Sequence, residues 1–326
     1  MAKMTIADLQ TKVAAYVAAT KQAGAWTSST DNKFKLIDKI GKIVRLDGSY
    51  IDKLPQFDGE ELPLGKTIEE YFVDLIAPSD YDETGADNEA PAYPSVENAA
   101  YSYTLGRKKF KTTVKYDDLE RACNSEAEFT NRTTKILSRL GDSENTWKFA
   151  LKKQLLGNIF TKAKALKSTN STLYNSLVQS VALPVNTATG EAALKQIKID
   201  VEAAGFASEG HSLNGQLIGA APSLILVIKK GVNPSLDVDT FAGAFHDERL
   251  AVPAQVIVVD DFGSIDDKVW GRLIDPRGVK LHTDYRAVRN HENASGDFRN
   301  YYLHDEFTGF ISRNTFVKIY TNGVIA

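Results

Sequence analysis

The sequence predicts an α+β fold, and three observations carry that prediction. One apolar stripe, Phe129, Ile136, Leu140, Trp147, Leu151, Leu155 and Ile159, runs at helical spacing over thirty residues and marks a single long amphipathic helix. Strand-like segments collect in the last sixty residues and again over Tyr101 to Tyr116, rather than alternating with helices along the whole chain. Between them, short apolar runs and one helical pattern from Glu191 to Phe262 suggest a small α/β subdomain.

The totals narrow the class. A chain of 326 residues with 43% hydrophobic and 25% charged residues can build a sizeable core, as two domains or as one body with a large excursion. A net charge of -3, from 39 Lys and Arg against 42 Asp and Glu, argues against a surface built throughout for phosphate backbones. Cys123 is the one cysteine, which excludes an intrachain disulfide and a thiolate zinc site and fits folding in a reducing cytoplasm. The first twenty residues lack the apolar run of a signal peptide, and Leu224 to Ile228 is far too short to cross a bilayer. No membrane contact is expected.

Taken in order, Ile6, Leu9, Val13, Tyr16 and Val17 predict a short helix over 5–22, stopped at Gly24. Phe34, Ile37, Ile40 and Val44 predict a second, with Lys35, Lys39, Lys42 and Arg45 as its solvated face. From Asp58 to Glu97 twelve acidic residues stand against the single Lys66, and Pro63, Pro78, Pro91 and Pro94 with Gly59, Gly65 and Gly85 interrupt any long element. This reads as an extended, irregular arm.

The stretch "YSYTLGRKKFKTTVKY" alternates like a strand, but its apolar parity is odd at Tyr101, Tyr103 and Leu105 and even at Phe110, Val114 and Tyr116. That slip predicts a bulge or bend at Gly106. As one strand it would span about 50 Å, too long and too charged to stand alone, so its expected partner is another subunit. Ser125 and Glu128 then form a capping box that opens the long helix, about 35 residues, which keeps phase across Gly141 and Asp142 and so reads as one element.

Glu191 to Ala204 predicts a helix ending at Gly205, and Gly215 to Ala220 and Ala254 to Phe262 predict short buried strands. Pro222 to Lys230 between them reads as a helix from its leading proline and trailing lysines, against the strand preference of its β-branched residues. The tail returns to strands: "VWGRLI", a tight "DPRG" turn, "VKLH", then "YRAVRN" and "RNYYLH" around a turn at Ala294 to Asp297, and "TFVKIY".

Candidate chemistry is sparse. Asp260 and Asp261 close an apolar strand where carboxylates could hold Mg²⁺ or act as a base, but no phosphate-binding glycine motif accompanies them, and a solvated strand end is the simpler reading. Histidines 211, 246, 282, 291 and 304 show no ligand spacing, and Cys123 has no histidine near it in sequence. The "GRKKFKTTVK" cluster with Tyr101, Tyr103 and Phe110 looks like a single-strand nucleic-acid platform, yet the adjoining acid-rich segment favours pairing with protein. No catalytic residue, cofactor or metal is expected.

At this point the chain resembles a tailed-phage major capsid protein of the Hong Kong 97 type. The resemblance rests on the order and lengths of the elements: the arm, the long loop ending in "YTLGRKKFKTTVKYDDLERA", the helix from "SEAEF" to "LLGNIF", the α/β segment closing on "VIVVDDF", and the tail from "LIDPRG" to "NTFVKIY". It implies an N-terminal arm (1–46), an extended loop (47–116), a peripheral domain with the spine helix (117–185), an axial domain (186–265) and a return to the peripheral sheet (266–326). It also implies self-assembly as pentamers and hexamers into an icosahedral head around double-stranded DNA touched only weakly, with the protein made in the host bacterial cytoplasm and located in the virion capsid.

The extended loop would cover the neighbouring subunit, with Asp80, Asp82, Glu83, Arg107, Lys108, Lys109 and Lys111 as the expected contacts. Some relatives join a loop lysine covalently to a partner asparagine; Lys108, Lys109 and Lys111 are available, but no chemistry is assigned to them. Only about forty-five residues precede the loop, so a separate scaffold protein, or none, is implied, with a portal and decoration proteins as further partners. An encapsulin-like compartment shell is the alternative, and an enzyme using Asp260 and Asp261 a third.

Overall fold

The computed structural model describes residues 52–62, 67–73, 83, 96–101, 104–115, 126–219, 221, 223–232, 254–262, 268–293, 295–296 and 298–325. The two expected N-terminal helices, Cys123 and the capping box at Ser125 lie outside them.

The chain enters at a 3-10 turn, Pro55–Phe57, and strand β1 (Asp58–Glu61). Strands β2 (Ile68–Val73) and β3 (Val96–Tyr101) pair as an antiparallel hairpin, and β4 (Thr104–Lys115) follows. Helix α1 (Glu126–Thr169) runs 44 residues, on the order of 66 Å. After it come α2 (Ser171–Leu177), β5 (Val178–Ser180), α3 (Thr187–Ala203), β6 (Ile225–Lys229) and β7 (Gln255–Val259). The tail is β8 (Val269–Ile274), β9 (Val279–Asn293), β10 (Phe298–Ile311) and β11 (Val317–Thr321).

Two larger sheets result. One has the order β1-β9-β10-β4, the other β5-β11-β8-β6-β7. The five-stranded sheet is the middle of a layered body because its strands are apolar on both sides. Ile225, Val227, Ile257, Val259, Val317 and Ile319 face a core shared with Leu155, Ile159 and Phe160 of α1, whereas Leu226, Ile228, Trp270, Leu273 and Tyr320 face a second core with Ala193 and Ile197 of α3. Period-two alternation with both faces covered is what a buried sheet requires.

Helix α1 carries the expected stripe: Leu140, Leu151, Leu155 and Ile159 are buried, and Trp147 packs edge-on against Phe110 of β4 and Phe307 of β10. It passes Gly141 and Asp142 unbroken and extends ten residues past Ile159. Helix α3 starts four residues before the expected Glu191, because Asn186 and Thr189 form a reciprocal cap.

Several expectations are corrected. Pro222 to Lys230 is not a helix: Ile225–Lys229 is a strand, parallel to β7 and antiparallel to β8, and the first four of its residues are fully buried. Branched side chains with both faces covered decide for strand over the terminal lysines. The expected strand from Gly215 to Ala220 is not formed over its described residues 215–219, which hold only an isolated bridge from Ile218 to Ser208.

Tyr101 to Tyr116 is not one strand either. Tyr101 ends β3 opposite Ile68, and β4 starts anew at Thr104 against β10. The basic strand therefore finds its hydrogen-bonding partner in its own chain rather than in another subunit. The phase slip is as expected: Gly106 has φ 106°, and Leu105 and Gly106 stand opposite Phe307 alone, between the pairs Arg107–Glu306 and Thr104–Thr308.

The tail follows its turn chemistry. Asp275 accepts from the Arg277 N–H at 2.9 Å across the Pro276 turn, and Asn293 accepts from the Ser295 and Gly296 N–H groups at the hairpin end. Arg272 of β8 is an exception to ordinary core composition. It is fully buried, donates to the Leu156 carbonyl, lies 4.3 Å over the Phe262 ring, and burial lowers its pKa to about 9. Its Nε and Nη2 have no hydrogen-bond partner among the described residues. Arg272→Met should therefore leave stability unchanged or raise it, read by urea denaturation, because an uncompensated buried charge is replaced by apolar volume.

Candidate assembly surfaces

Two surfaces arise from the placement of the loop. The first is its root. Residues 52–61 belong to the body: Leu54 and Phe57 are fully buried in the main core, and β1 pairs with β9. Lys152 of α1, itself fully buried, contacts Asp52, lies 2.6 Å from Asp58 and donates to the Leu54 carbonyl at 2.9 Å. One ammonium thus binds two carboxylates and a carbonyl, clasping the chain where the loop begins.

Beyond that root stands the β2–β3 hairpin. Alternation directs Ile68, Glu70 and Phe72 inward and Glu69, Tyr71 and Val73 outward. Glu70 accepts from the Ser312 hydroxyl, and Phe72 packs on the core beside α3. Tyr71 is 68% exposed and Val73 41%, a lone apolar pair beside Glu69.

The second surface is the open side of the four-stranded sheet, whose other side is closed by α1. Register across β4, β10 and β9 gives rows Arg107–Glu306–Tyr285, Lys109–His304–Ala287, Lys111–Tyr302–Arg289, Thr113–Asn300–His291 and Lys115–Phe298–Asn293. Arg107 pairs with Glu306 at 3.7 Å and lies 4.5 Å over the Tyr285 ring, and Lys111 lies 6.0 Å over Tyr302. Lys109, Lys111, Lys115 and Arg289 are exposed and make no ion pair among the described residues. Burial and then the charges of Arg289, Arg107 and Lys109 hold the His304 pKa below its ordinary value.

Of the seven expected contact residues, three therefore share this face, Arg107, Lys109 and Lys111. Lys108 is exposed but falls on the opposite parity, opposite buried Asp305. Glu83 is exposed in a turn, and Asp80 and Asp82 lie outside the described residues. Lys115, Arg289, Tyr302 and His304 were not anticipated. Alternation in "YRAVRN" and "RNYYLH" could have put them on single faces, but no local pattern says that β10 lies beside β4.

The remaining candidates have structural partners. Lys153 of α1 donates to both oxygens of Asp260 at 2.8 and 2.9 Å and to Asp261 at 3.1 Å, so the half-exposed pair keeps its solvated side and also ties the strand end to the helix. Burial disfavours charge on both Lys153 and Asp260, but the hydrogen bonds outweigh it, raising the Lys153 pKa and lowering that of Asp260. The sign follows: this contribution is present above the ordinary Asp range and is lost as pH falls through the lowered Asp260 value; at the basic end it is lost above the ordinary Lys range. Asp260→Asn should thus cost under about 1 kcal/mol at pH 7 and progressively less as pH falls below the ordinary Asp range, by denaturation across that range. His211 is buried edge-on to Phe316, and no cluster of three or more potential metal ligands occurs among the described residues. No helix among them is long and apolar enough to cross a membrane.

A long helix under a four-stranded sheet, a second α/β layer and a separate two-stranded hairpin make up the Hong Kong 97 type of fold. A chain of native bacteriophage P68, from the structure of its head fibre and inner core protein, superposes with a TM-score of 0.62 at 12% identity, over 83% of this chain and 85% of that one. A chain from the capsid of Staphylococcus phage Andhra gives 0.61 at 11% identity, over 85% and 86%.

Residues 3–319 match the Phi29-like phage major capsid protein family, and the chain belongs to it. It is similar to the major capsid proteins of Bacillus phage PZA, 25% identical over 91% of this chain, and of Bacillus phage B103, 24% identical over 86%. The chain spans 64% and 62% of the length of those two relatives. They are structural proteins, not enzymes.

Proposed function

We propose that this chain is the repeating unit of a phage head, assembling as pentamers and hexamers into an icosahedral shell around double-stranded DNA, with scaffold and portal proteins as separate partners. The family match carries the reading, and it supports a phage head over a cargo-loading compartment. The hairpin supports it physically. Its outward Tyr71 and Val73 are exposed beside Glu69 and offer a neighbouring subunit a small apolar patch edged by charge.

The structure dictates how the reading is tested. Deleting the whole of 47–116 would remove Leu54, Phe57, Val114 and both edge strands of a sheet, so the informative deletion replaces only 67–101 with a short flexible linker. Electron microscopy of the purified chain should show closed particles, and the deletion should give folded, unassembled subunits. Normal particles from the deletion would defeat the loop's role.

A further inference from the structure

We propose that the open face of the four-stranded sheet, formed by Arg107, Lys109, Lys111, Lys115 and Arg289, is a weak, sequence-independent contact for the phosphate backbone of duplex DNA. The proposal rests on the phage-head reading for the source of that DNA, and it assigns this face of the subunit to the shell's interior.

Charge is the first argument. In a chain of net charge -3, five cations gather on one sheet face with Glu306 as the one carboxylate among the rows they form. Among the described residues the basic strand pairs in register with β10, and Glu70 of the β2–β3 hairpin is held at Ser312.

The character of the surface decides between a protein and a nucleic-acid partner. Protein interfaces centre on apolar or aromatic anchors and are depleted in lysine. Among the described residues the exposed large apolar side chains are Tyr71, Val73, Val185, Ile199, Phe206, Val258 and Val324, and none belongs to β4, β9 or β10. Lysines on flexible stems over a flat, polar face suit a hydrated polyanion met through its backbone. The two tyrosines argue for a duplex over a single strand: Arg107 lies over Tyr285, Lys111 over Tyr302, and His304 stacks on Tyr302 at 6.1 Å, so these rings are engaged from within the face.

Lys109, Lys111, Lys115 and Arg289, without an ion pair among the described residues, meeting four phosphates imply a log–log salt slope of roughly -3 to -4 and a loss of affinity of about a hundredfold between 50 and 200 mM salt. The test is fluorescence anisotropy of a labelled duplex of arbitrary sequence, on the order of twenty base pairs, titrated with the unassembled full chain across that salt range. Lys109→Ala, Lys111→Ala and Lys115→Ala combined should weaken binding at least tenfold and flatten the slope by about 3. The same three positions changed to Arg should keep both, which separates charge from folding. A control triple elsewhere, Lys164→Ala, Lys195→Ala and Lys230→Ala, changes net charge equally and should have little effect.

Absence of binding by the unaltered chain at 50 mM salt overturns the site, as does an equal loss in the two alanine triples, which would be bulk charge alone. So does a face triple that binds duplex normally but no longer forms particles, which would give the face to the acid-rich segment of a second copy. Imaging of particles from the unaltered chain reports on the phage-head reading separately, so the two can fail independently.

Discussion

Trp270→Ala should lower the stability of the chain by about 3–5 kcal/mol, the range for emptying a large aromatic site in a packed core. Trp270 is 1% exposed, stacks on Tyr320 with ring centres 5.3 Å apart and planes 21° apart, and donates its indole N–H to the Val181 carbonyl at 2.9 Å. The substitution removes the largest side chain between the five-stranded sheet and α3, and it leaves the Val181 carbonyl without that donor. Thermal unfolding should move down by roughly 4–7 °C at this chain length. Trp270→Phe, which keeps a ring for Tyr320 but not the hydrogen bond, should fall between. A loss below about 1 kcal/mol for the alanine variant would show that this core collapses freely and does not fix α3 to the sheet.

Lys152→Ala should cost roughly 3 kcal/mol, the low end for removing one member of a buried ion pair. The low end applies because the Asp58 side chain is 53% exposed and can turn to water, whereas that of Asp52 is 15% exposed and the Leu54 carbonyl loses its donor. The effect should be local as well as global. Limited proteolysis should cut the variant near residues 52–62, since Leu54 and Phe57 are held in the core beside this clasp. Lys152→Met in a double-mutant cycle with Asp52→Asn measures the coupling; a coupling near zero would mean that apolar packing alone holds the loop root.

Long-period signals were legible and pairwise ones were not. The α1 stripe, the tail strands and the bulge at Gly106 are each written in spacing along one segment, so they could be read before any partner was known. Ile225–Lys229 could not, because the five-residue apolar run from Leu224 to Ile228 fits a buried helix or a central strand equally, and only its position between β7 and β8 decides. The start of α3 is written in "NTATG", with Asn186 three residues before Thr189, but this polar cap precedes the first apolar-periodic residue and carries no periodicity of its own. The basic face needed the β4–β10–β9 register: Lys111 and Arg289 are 178 residues apart in sequence and share one row only because Tyr302 lies between them. The loop root was hidden for the same reason, since nothing in "IDKLPQFD" says that Lys152, a hundred residues away, binds it.

The five-stranded sheet serves as a common wall, lined on one side by α1 and on the other by α3. A load applied to the helix on one side is carried directly into the layer that seats the other, with no separable joint through the middle of the subunit. A closed container built from such plates would meet different curvatures by changing the angles between plates and the reach of their projecting hairpins, while the plates themselves stay stiff.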